Sequence, residues 1–210
     1  MSMILGFVYI FVALLLAIVL HEFAHALVGH WLGDTTAQVH GRLTLNPLAH
    51  IDPLTTVLMP LILIIAHSPV VFGAAKPVPF NPWAVRYGKW GVVMVSLAGP
   101  ATNFLIAGFF ALWLRVGLVA PAGYELFIRI IITNVGFGFF NLIPFPPLDG
   151  SRLLYAVAPH GLRDVMDRIE KAGLAAVFVF LFILGPFILP YLNVLIGYVV
   201  QFLIPGLTSL

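Results

Sequence analysis

The sequence has 210 residues, of which 61% are hydrophobic and only 9% are charged, and its mean hydropathy is +1.09. These values exceed those of soluble globular domains and predict a polytopic protein embedded in a lipid bilayer. The net charge is only +2 and the ten Lys and Arg residues form no run, which excludes the electrostatic footprint of nucleic-acid binding. Because the chain has no Cys, disulfides, thiolate metal sites and cysteine nucleophiles are excluded as well.

Three apolar runs are long enough to cross roughly 30 Å of hydrocarbon at about 1.5 Å per helical residue. They cover Met3–Trp31, residues 91–114 and residues 126–148. The first run has no basic region before it and no small-residue cleavage site, so we expect a retained span and not a removed signal peptide. We predict that these three helices form the core of the protein.

Two further apolar segments are interrupted. Residues 54–72 contain two prolines and His67, and the tail at residues 172–204 is broken at Gly185, Pro186 and Pro190. These breaks are compatible with two options for the tail: two short spans, or one span followed by a segment that lies along the membrane–water interface.

Between the first two runs, residues 37–45 alternate between apolar and polar side chains. A period of two is typical of a β-strand, so we predict a strand here. The apolar positions of this strand are Ala37, Val39, Leu43 and Leu45.

The first span contains three ionisable residues, His21, Glu22 and His25. A charged group at membrane depth costs roughly 2.5 kcal/mol or more, so such residues indicate a functional site. Residues four apart share a helix face, which lets His21 and His25 hold one ion while Glu22 reaches a water on it. This HExxH pattern is typical of zinc proteases, and the structural alternative is a polar cluster that joins packed helices.

A catalytic zinc normally has three protein ligands, so the sequence needs a third. Asp149 is the preferred candidate because it ends the third predicted span in a proline-rich stretch, where freed backbone can line a cavity. Asp52 and His67 are alternatives, although each is more easily interpreted as solvated or as a turn former. Less favoured candidates are Asp34, His30, His40, His50 and His160.

Three segments together resemble the signature segments of the site-2 protease family, which are intramembrane zinc metalloproteases. They are HEFAH at residues 21–25, AGPATN at residues 98–103 and NLIPFPPLDG at residues 141–150. The resemblance covers about the first 155 residues and identifies a minimal form without a PDZ or CBS domain, so we expect no regulation by such a domain.

The resemblance implies one zinc ion per chain, bound by His21, His25 and Asp149, with Glu22 as the catalytic acid and base. It also implies that the strand near residues 39–45 folds back into the membrane beside the active site. The predicted fold is therefore an all-α polytopic membrane protein with a three-helix catalytic core, a re-entrant β segment within residues 35–72 and additional C-terminal membrane helices. Residues 1–155 form the core, and residues 156–210 form a cytoplasmic connection and the C-terminal membrane segments.

The expected reaction is hydrolysis of peptide bonds within or near the transmembrane segments of single-span membrane proteins. Such a substrate must unwind locally, and its freed backbone needs new partners. The strand edge near Val39 and Leu43 can supply them by β-addition. The amides of Asn141 and Asn103 can bond the peptide or a developing oxyanion, although a helix-bridging role is favoured for Asn103.

A membrane cation transporter that uses His21, Glu22 and His25 is the alternative function, but no inverted repeat is visible between the two halves of the chain. A di-iron oxygenase needs more histidine clusters than seven His residues supply. For His21 and Asp149 to meet, the first and third core spans must be parallel. Residues 54–72 must then either enter the membrane and return or pack between helices without crossing it. The distribution of basic residues then favours an active site near the cytoplasmic side.

Overall fold

A computed structural model describes residues 3–65 and 76–207 of the chain. Within these two ranges the regular elements are helices and there is no strand, which confirms the all-α class. Four helical stretches in them are long and apolar enough to cross a membrane, which confirms the prediction of a polytopic membrane protein. They are Ile4–Trp31, Lys89–Arg115, Pro121–Asn141 and Leu174–Leu203.

The helices before the second span are α1 (Met3–Trp31), α2 (Thr36–Val39), α3 (Pro47–His50) and α4 (Met59–Ile65), with a π-helical turn at Pro53–Leu58 directly before α4. The second and third spans are α5 (Lys89–Arg115) and α6 (Tyr124–Asn141), and a 3₁₀ turn at Pro121–Gly123 precedes α6. The later helices are α7 (Gly150–Val157), α8 (His160–Lys171), α9 (Leu174–Val179) and α10 (Gly185–Leu203), with a π-helical turn at Phe180–Leu184 between the last two.

Helices α1, α5 and α6 pack against one another and form the predicted three-helix core. Ala13 of α1, Ile106 of α5 and Ile130 of α6 meet in one buried cluster. In lipid, apolar burial gives little drive for helix association, so close packing through small side chains matters more. Ala17 and Ala107 are fully buried and allow this close approach.

The connection between α1 and α5 begins and ends on the same side of the helix bundle. The backbone N–H of Arg86, just before α5, donates to the carbonyl of Leu32, just after α1, at 2.8 Å. Within the connection, the N–H of Lys76 donates to the carbonyl of His50 at 3.0 Å. The intervening chain therefore makes no net crossing, and α1 runs parallel to α6, as the sequence predicted. Of the interrupted run 54–72, residues 66–72, which include His67, lie outside the described ranges.

The predicted strand at residues 37–45 is wrong, because its first part is the short helix α2. The carboxylate of Asp34 accepts hydrogen bonds from the backbone N–H and the hydroxyl of Thr36, which starts the helix. Gly41 has φ of +67° and ends it, with the N–H of Arg42 donating to the carbonyl of Ala37 at 2.8 Å. The hydrogen bonds at the two ends of α2 favour a helix more strongly than the weak alternation of apolar residues favours a strand.

The third span ends at Asn141 and not at residue 148 as predicted. Pro144, Pro146 and Pro147 have no N–H to continue the helix, so the chain forms a compact turn. A Cβ on Gly150 would lie 2.1 Å from the carbonyl oxygen of Leu142, so the turn closes only with glycine at this position.

The tail, which the sequence left undecided, forms a helical stretch from Leu174 to Leu203 that is long enough for one span. A proline in a helix lacks the N–H and clashes with the carbonyl four residues before it. The wide π-helical turn Phe180–Leu184 ends two residues before Pro186 and contains Phe182, the residue four before this proline, so it accommodates the defect. Helix α10 packs on α6, where Val200 contacts the cluster that contains Ile131.

The arrangement predicts how single cysteines label in this cysteine-free chain. Gln38 and Trp83 are exposed and lie in the connection that makes no net crossing, so cysteines there should react with an impermeant reagent from the same side. A cysteine at exposed Leu118, between α5 and α6, should react only from the other side. Labelling of positions 38 and 83 from opposite sides would contradict the topology.

Candidate metal centre

Three potential metal ligands, two from α1 and one from the turn after α6, meet in the structure. Nε2 of His21 lies 3.0 Å from Nε2 of His25, and Oδ2 of Asp149 lies 3.0 and 3.3 Å from these two nitrogens. In the described part of the chain they form the one group of three His, Cys, Asp or Glu residues with ligand atoms within 4.8 Å of one another. The structure thus brings together the three residues that the sequence analysis singled out.

The hydrogen bonds of the two imidazoles leave their Nε2 atoms free for a ligand. Nδ1 of His25 lies 2.7 Å from the carbonyl oxygen of Val95, which can only accept, so Nδ1 carries the proton. Nδ1 of His21 lies 2.6 Å from Oδ1 of Asn103. Hydrogen bonds of this kind from the second ring nitrogen typically fix the tautomer of metal-binding histidines.

The three facing atoms are all acceptors, which is an unfavourable arrangement without a cation between them. Oδ2 of Asp149 is buried and has no hydrogen-bond donor. Beside these atoms, a Cβ on Gly99 would lie 2.5 Å from Nε2 of His25 and 2.6 Å from Nε2 of His21, so glycine keeps this volume open. Two imidazole nitrogens and one carboxylate oxygen are a donor set of catalytic zinc, so the residues present fit this metal.

Glu22 lies on the same turn of α1 and faces a cavity of about 400 Å³ that is also lined by His21, His25 and Asp149. Oε2 of Glu22 accepts a hydrogen bond from the backbone N–H of Val78 at 3.2 Å. A carboxylate held at the edge of a cavity, next to a metal-ligand set, is placed to exchange a proton with a water molecule.

Residues 76–81 have no regular secondary structure, and residues 77–80 line the cavity, a role that the sequence did not predict. Pro77 and Pro79 favour extended backbone, and this local pattern was the signal that could have found the segment. Its far end is held by Asp34, whose Oδ2 accepts from the N–H of Asn81 at 2.8 Å. Phe80 packs into an apolar cluster with Leu32 and Val85, which flank the two helices, and with one residue each of α1 and α5, Val28 and Val95.

Asp34 anchors the end of this segment by its hydrogen bond to Asn81 and is not part of the ligand group. Burial raises the pKa of its carboxyl, but the hydrogen bonds from Thr36 and Asn81 outweigh burial and hold the pKa below its usual value. The carboxylate is therefore charged at neutral pH and keeps its three hydrogen bonds.

Two other candidates for the third ligand have structural roles. Asp52 accepts from the N–H groups of Leu54 and Thr55, both at 3.0 Å, at the start of the π-helical turn. His50 is fully buried, with Nε2 at 2.8 Å from the carbonyl oxygen of Thr44. The less favoured His30, His40 and His160 are also outside the ligand group.

The residues suggested for substrate contact lie in different environments. Asn141 lines the cavity, and its Nδ2 donates to the carbonyl of Phe137 at 3.0 Å. Asn103 is fully buried behind His21 and does not line the cavity. Val39 is 79% exposed, and neither Val39 nor Leu43 lines the cavity.

The position of Gly99 yields a test with a matched control on the same helix. Gly99→Ala should abolish zinc binding, because the new Cβ would overlap both imidazoles. Gly108→Ala meets no atom within 4 Å and should keep zinc, with a small gain in helix stability of up to about 1 kcal/mol. Zinc content of the purified proteins is the measurement, and full zinc occupancy in Gly99→Ala would contradict the proposed position of the ion.

Comparison with known proteins gives an independent view of the chain. The model of peptidase family M50 matches residues 119–184, which include the NLIPFPPLDG segment. No solved structure matches the chain significantly.

Three relatives carry the words zinc metalloprotease in their names. YwhC of Bacillus subtilis is 40% identical over 197 residues, which cover 88% of this chain and 86% of YwhC. Rip2 of Mycobacterium tuberculosis is 31% identical over 192 residues, covering 89% of this chain and 69% of Rip2. Rip2 of Mycolicibacterium smegmatis is 31% identical over 159 residues, covering 73% of this chain and 58% of that protein. The chain therefore belongs to peptidase family M50, a family of zinc metalloproteases, and the resemblance to site-2 proteases is confirmed.

Proposed function

We propose that this protein is an intramembrane zinc metalloprotease that hydrolyses peptide bonds within or near the transmembrane segments of single-span membrane proteins. The observation that carries the proposal is the convergence of His21, His25 and Asp149 beside Glu22, on a helix long enough to span the bilayer. The alternative of a cation transporter has no comparable support, since the matched family is one of peptidases.

Zinc held by His21, His25 and Asp149 would supply a Lewis acid that polarises the scissile carbonyl and acidifies a water molecule. Glu22 accepts the proton of the attacking water and later delivers it to the leaving amine. The N–H of Val78 holds one carboxylate oxygen of Glu22, which restricts its rotation. No covalent intermediate with the protein is needed.

An unwound substrate needs hydrogen-bond partners for its backbone, and residues 76–81 are well placed to provide them. We propose this segment in place of the edge near Val39 and Leu43, because it borders the cavity next to Glu22. Pro77 and Pro79 have carbonyl oxygens but no N–H, so the segment accepts hydrogen bonds from a substrate. Asn141 lines the same cavity and can donate to a substrate carbonyl.

The distribution of basic residues supports an active site near the cytoplasmic side. Only Arg115 and Arg129 lie near the ends of α5 and α6 that face away from the site. Basic residues are enriched in cytoplasmic connections, so the side with the larger number faces the cytoplasm. The residues on that side are Arg42, Lys76, Arg86, Lys89, Arg152, Arg163, Arg168 and Lys171.

The first test of this function concerns the proton-transfer residue. Glu22→Gln should keep the fold and bound zinc but lower turnover of a single-span substrate in detergent by about 10²-fold or more, because the amide cannot accept the proton. Glu125→Gln is the matched control, since Glu125 forms a partly exposed ion pair with Arg129 at the other end of α6. Near-normal turnover by Glu22→Gln would refute its role.

The second test concerns the third ligand. Asp149→Ala should lower both zinc occupancy and activity, because two histidines alone form an incomplete site. Exposed Asp164 on α8 provides the control Asp164→Ala, which should keep both. If Asp149→Ala retained zinc while Asp52→Ala lost it, Asp52 would be the ligand instead.

A further inference from the structure

We infer that Asn134 and Asn103 form a positioning relay that fixes the tautomer of His21, so that its Nε2 faces the metal. The relay crosses the three core helices: Asn134 lies on α6, Asn103 on α5 and His21 on α1. The inference deepens the proposed function, on which its metal-binding consequence rests. The tautomer itself is a property of the protein without metal.

The orientation of the Asn103 amide follows from its donors. Nδ2 of Asn103 donates to the carbonyl oxygen of Ala17 at 3.1 Å and to Oδ1 of Asn134 at 3.0 Å. Both N–H groups of the amide are therefore used, and its Oδ1 faces Nδ1 of His21 at 2.6 Å. An amide oxygen only accepts, so Nδ1 of His21 must carry the proton and Nε2 keeps its lone pair.

Asn134, on α6, helps to fix the orientation of the Asn103 amide. Its Nδ2 donates to the carbonyl of Ile130 at 2.9 Å, which turns its Oδ1 towards Asn103. Both asparagine side chains have no solvent exposure, so water does not replace any of these bonds. The carbonyl of Ile130 can only accept a hydrogen bond, so it fixes the orientation of the Asn134 amide. That amide in turn fixes the direction of the bonds from Asn103 to Asn134 and from His21 to Asn103.

Asn103 can connect the three core helices without its bond to His21. The bonds of Asn103 to Ala17 and Asn134 already join α5 to α1 and α6. The additional short contact with His21 connects this bridge to a metal ligand. The second ligand, His25, is oriented by the backbone of Val95, which no side-chain substitution removes. Asn103 is therefore the position at which substitution can change one imidazole and leave the other as an internal reference.

The test compares Asn103→Leu, which removes both the acceptor and the N–H donors, with Asn103→Asp, which also lacks the donors but keeps an oxygen facing Nδ1 of His21. In metal-free protein labelled with ¹⁵N-histidine and held at alkaline pH, the nitrogen spectrum reports which ring nitrogen carries the proton. We expect His21 to be protonated at Nδ1 in the unmodified protein and in Asn103→Asp, but no longer fixed in this form in Asn103→Leu. His25 should stay protonated at Nδ1 in all three proteins.

Zinc affinity, measured by competition with a chelator, provides the second readout. Loss of such a bond behind a metal ligand typically weakens metal binding by about 10- to 100-fold, so we expect this loss in Asn103→Leu and little change in Asn103→Asp. If Asn103→Leu does not fold, Asn134→Leu tests the same relay. That variant keeps Asn103 and its bond to the carbonyl of Ala17 but removes the acceptor of the other N–H group. The amide is then less firmly oriented, so His21 should show a larger share of the Nε2-protonated tautomer than in the unmodified protein, and an unchanged tautomer would overturn the role of Asn134.

The outcomes separate the relay from the proposed function. Equal behaviour of Asn103→Leu and Asn103→Asp, in tautomer and in affinity, would overturn the relay while leaving zinc binding by the unmodified protein intact. Absence of zinc binding by the unmodified protein would overturn the proposed function, and the tautomer of His21 in the metal-free protein would still decide the relay.

Discussion

The mutual approach of three acceptor atoms, Nε2 of His21, Nε2 of His25 and Oδ2 of Asp149, is the constraint on which the rest of the structure depends. Such atoms repel at 3.0 Å unless a cation lies between them, and burial in a membrane protein strengthens the repulsion. Two features keep them together. Helices α1 and α6 must run in parallel, and the proline-rich turn after α6 must fold back so that Asp149 points towards α1.

Helix α5 supports this site through residues spaced four apart, which share one face of the helix. The carbonyl of Val95 orients His25, Gly99 leaves room for both imidazoles, and Asn103 bonds His21. The AGPATN segment thus has a physical explanation in this chain: its glycine provides space and its asparagine provides an acceptor. Polar groups at membrane depth are costly unless they are bonded, and here each bond of Asn103 also positions a neighbour.

Local patterns in the sequence were sufficient to predict the spans Met3–Trp31 and 91–114, because hydropathy over a long window reflects the membrane directly. They also singled out His21, Glu22, His25 and Asp149 as residues of one site. The strand at 37–45 failed because side-chain bonds of Asp34 and the left-handed Gly41 decide this short segment, and neither affects its periodicity.

Contacts between distant segments were the other source of error. The end of α6 depends on the close approach of the Leu142 carbonyl to Gly150. The position of residues 76–81 depends on two carboxylates that accept their N–H groups, Glu22 of α1 and Asp34 directly after it. The role of Asn103 depends on an amide orientation that is set across three helices, which spacing alone does not indicate.

Two carboxylates, from α1 and from the turn that follows it, hold the same segment. Glu22 accepts from the N–H of Val78, and Asp34 accepts from the N–H of Asn81. The segment is therefore aligned with the helix that carries two metal ligands, and not only with the connection to which it belongs. In the proposed reaction, a substrate strand that pairs with residues 76–81 would take its direction from α1. Its scissile carbonyl would then reach Glu22, His21 and His25 together, because these three residues lie on one helix.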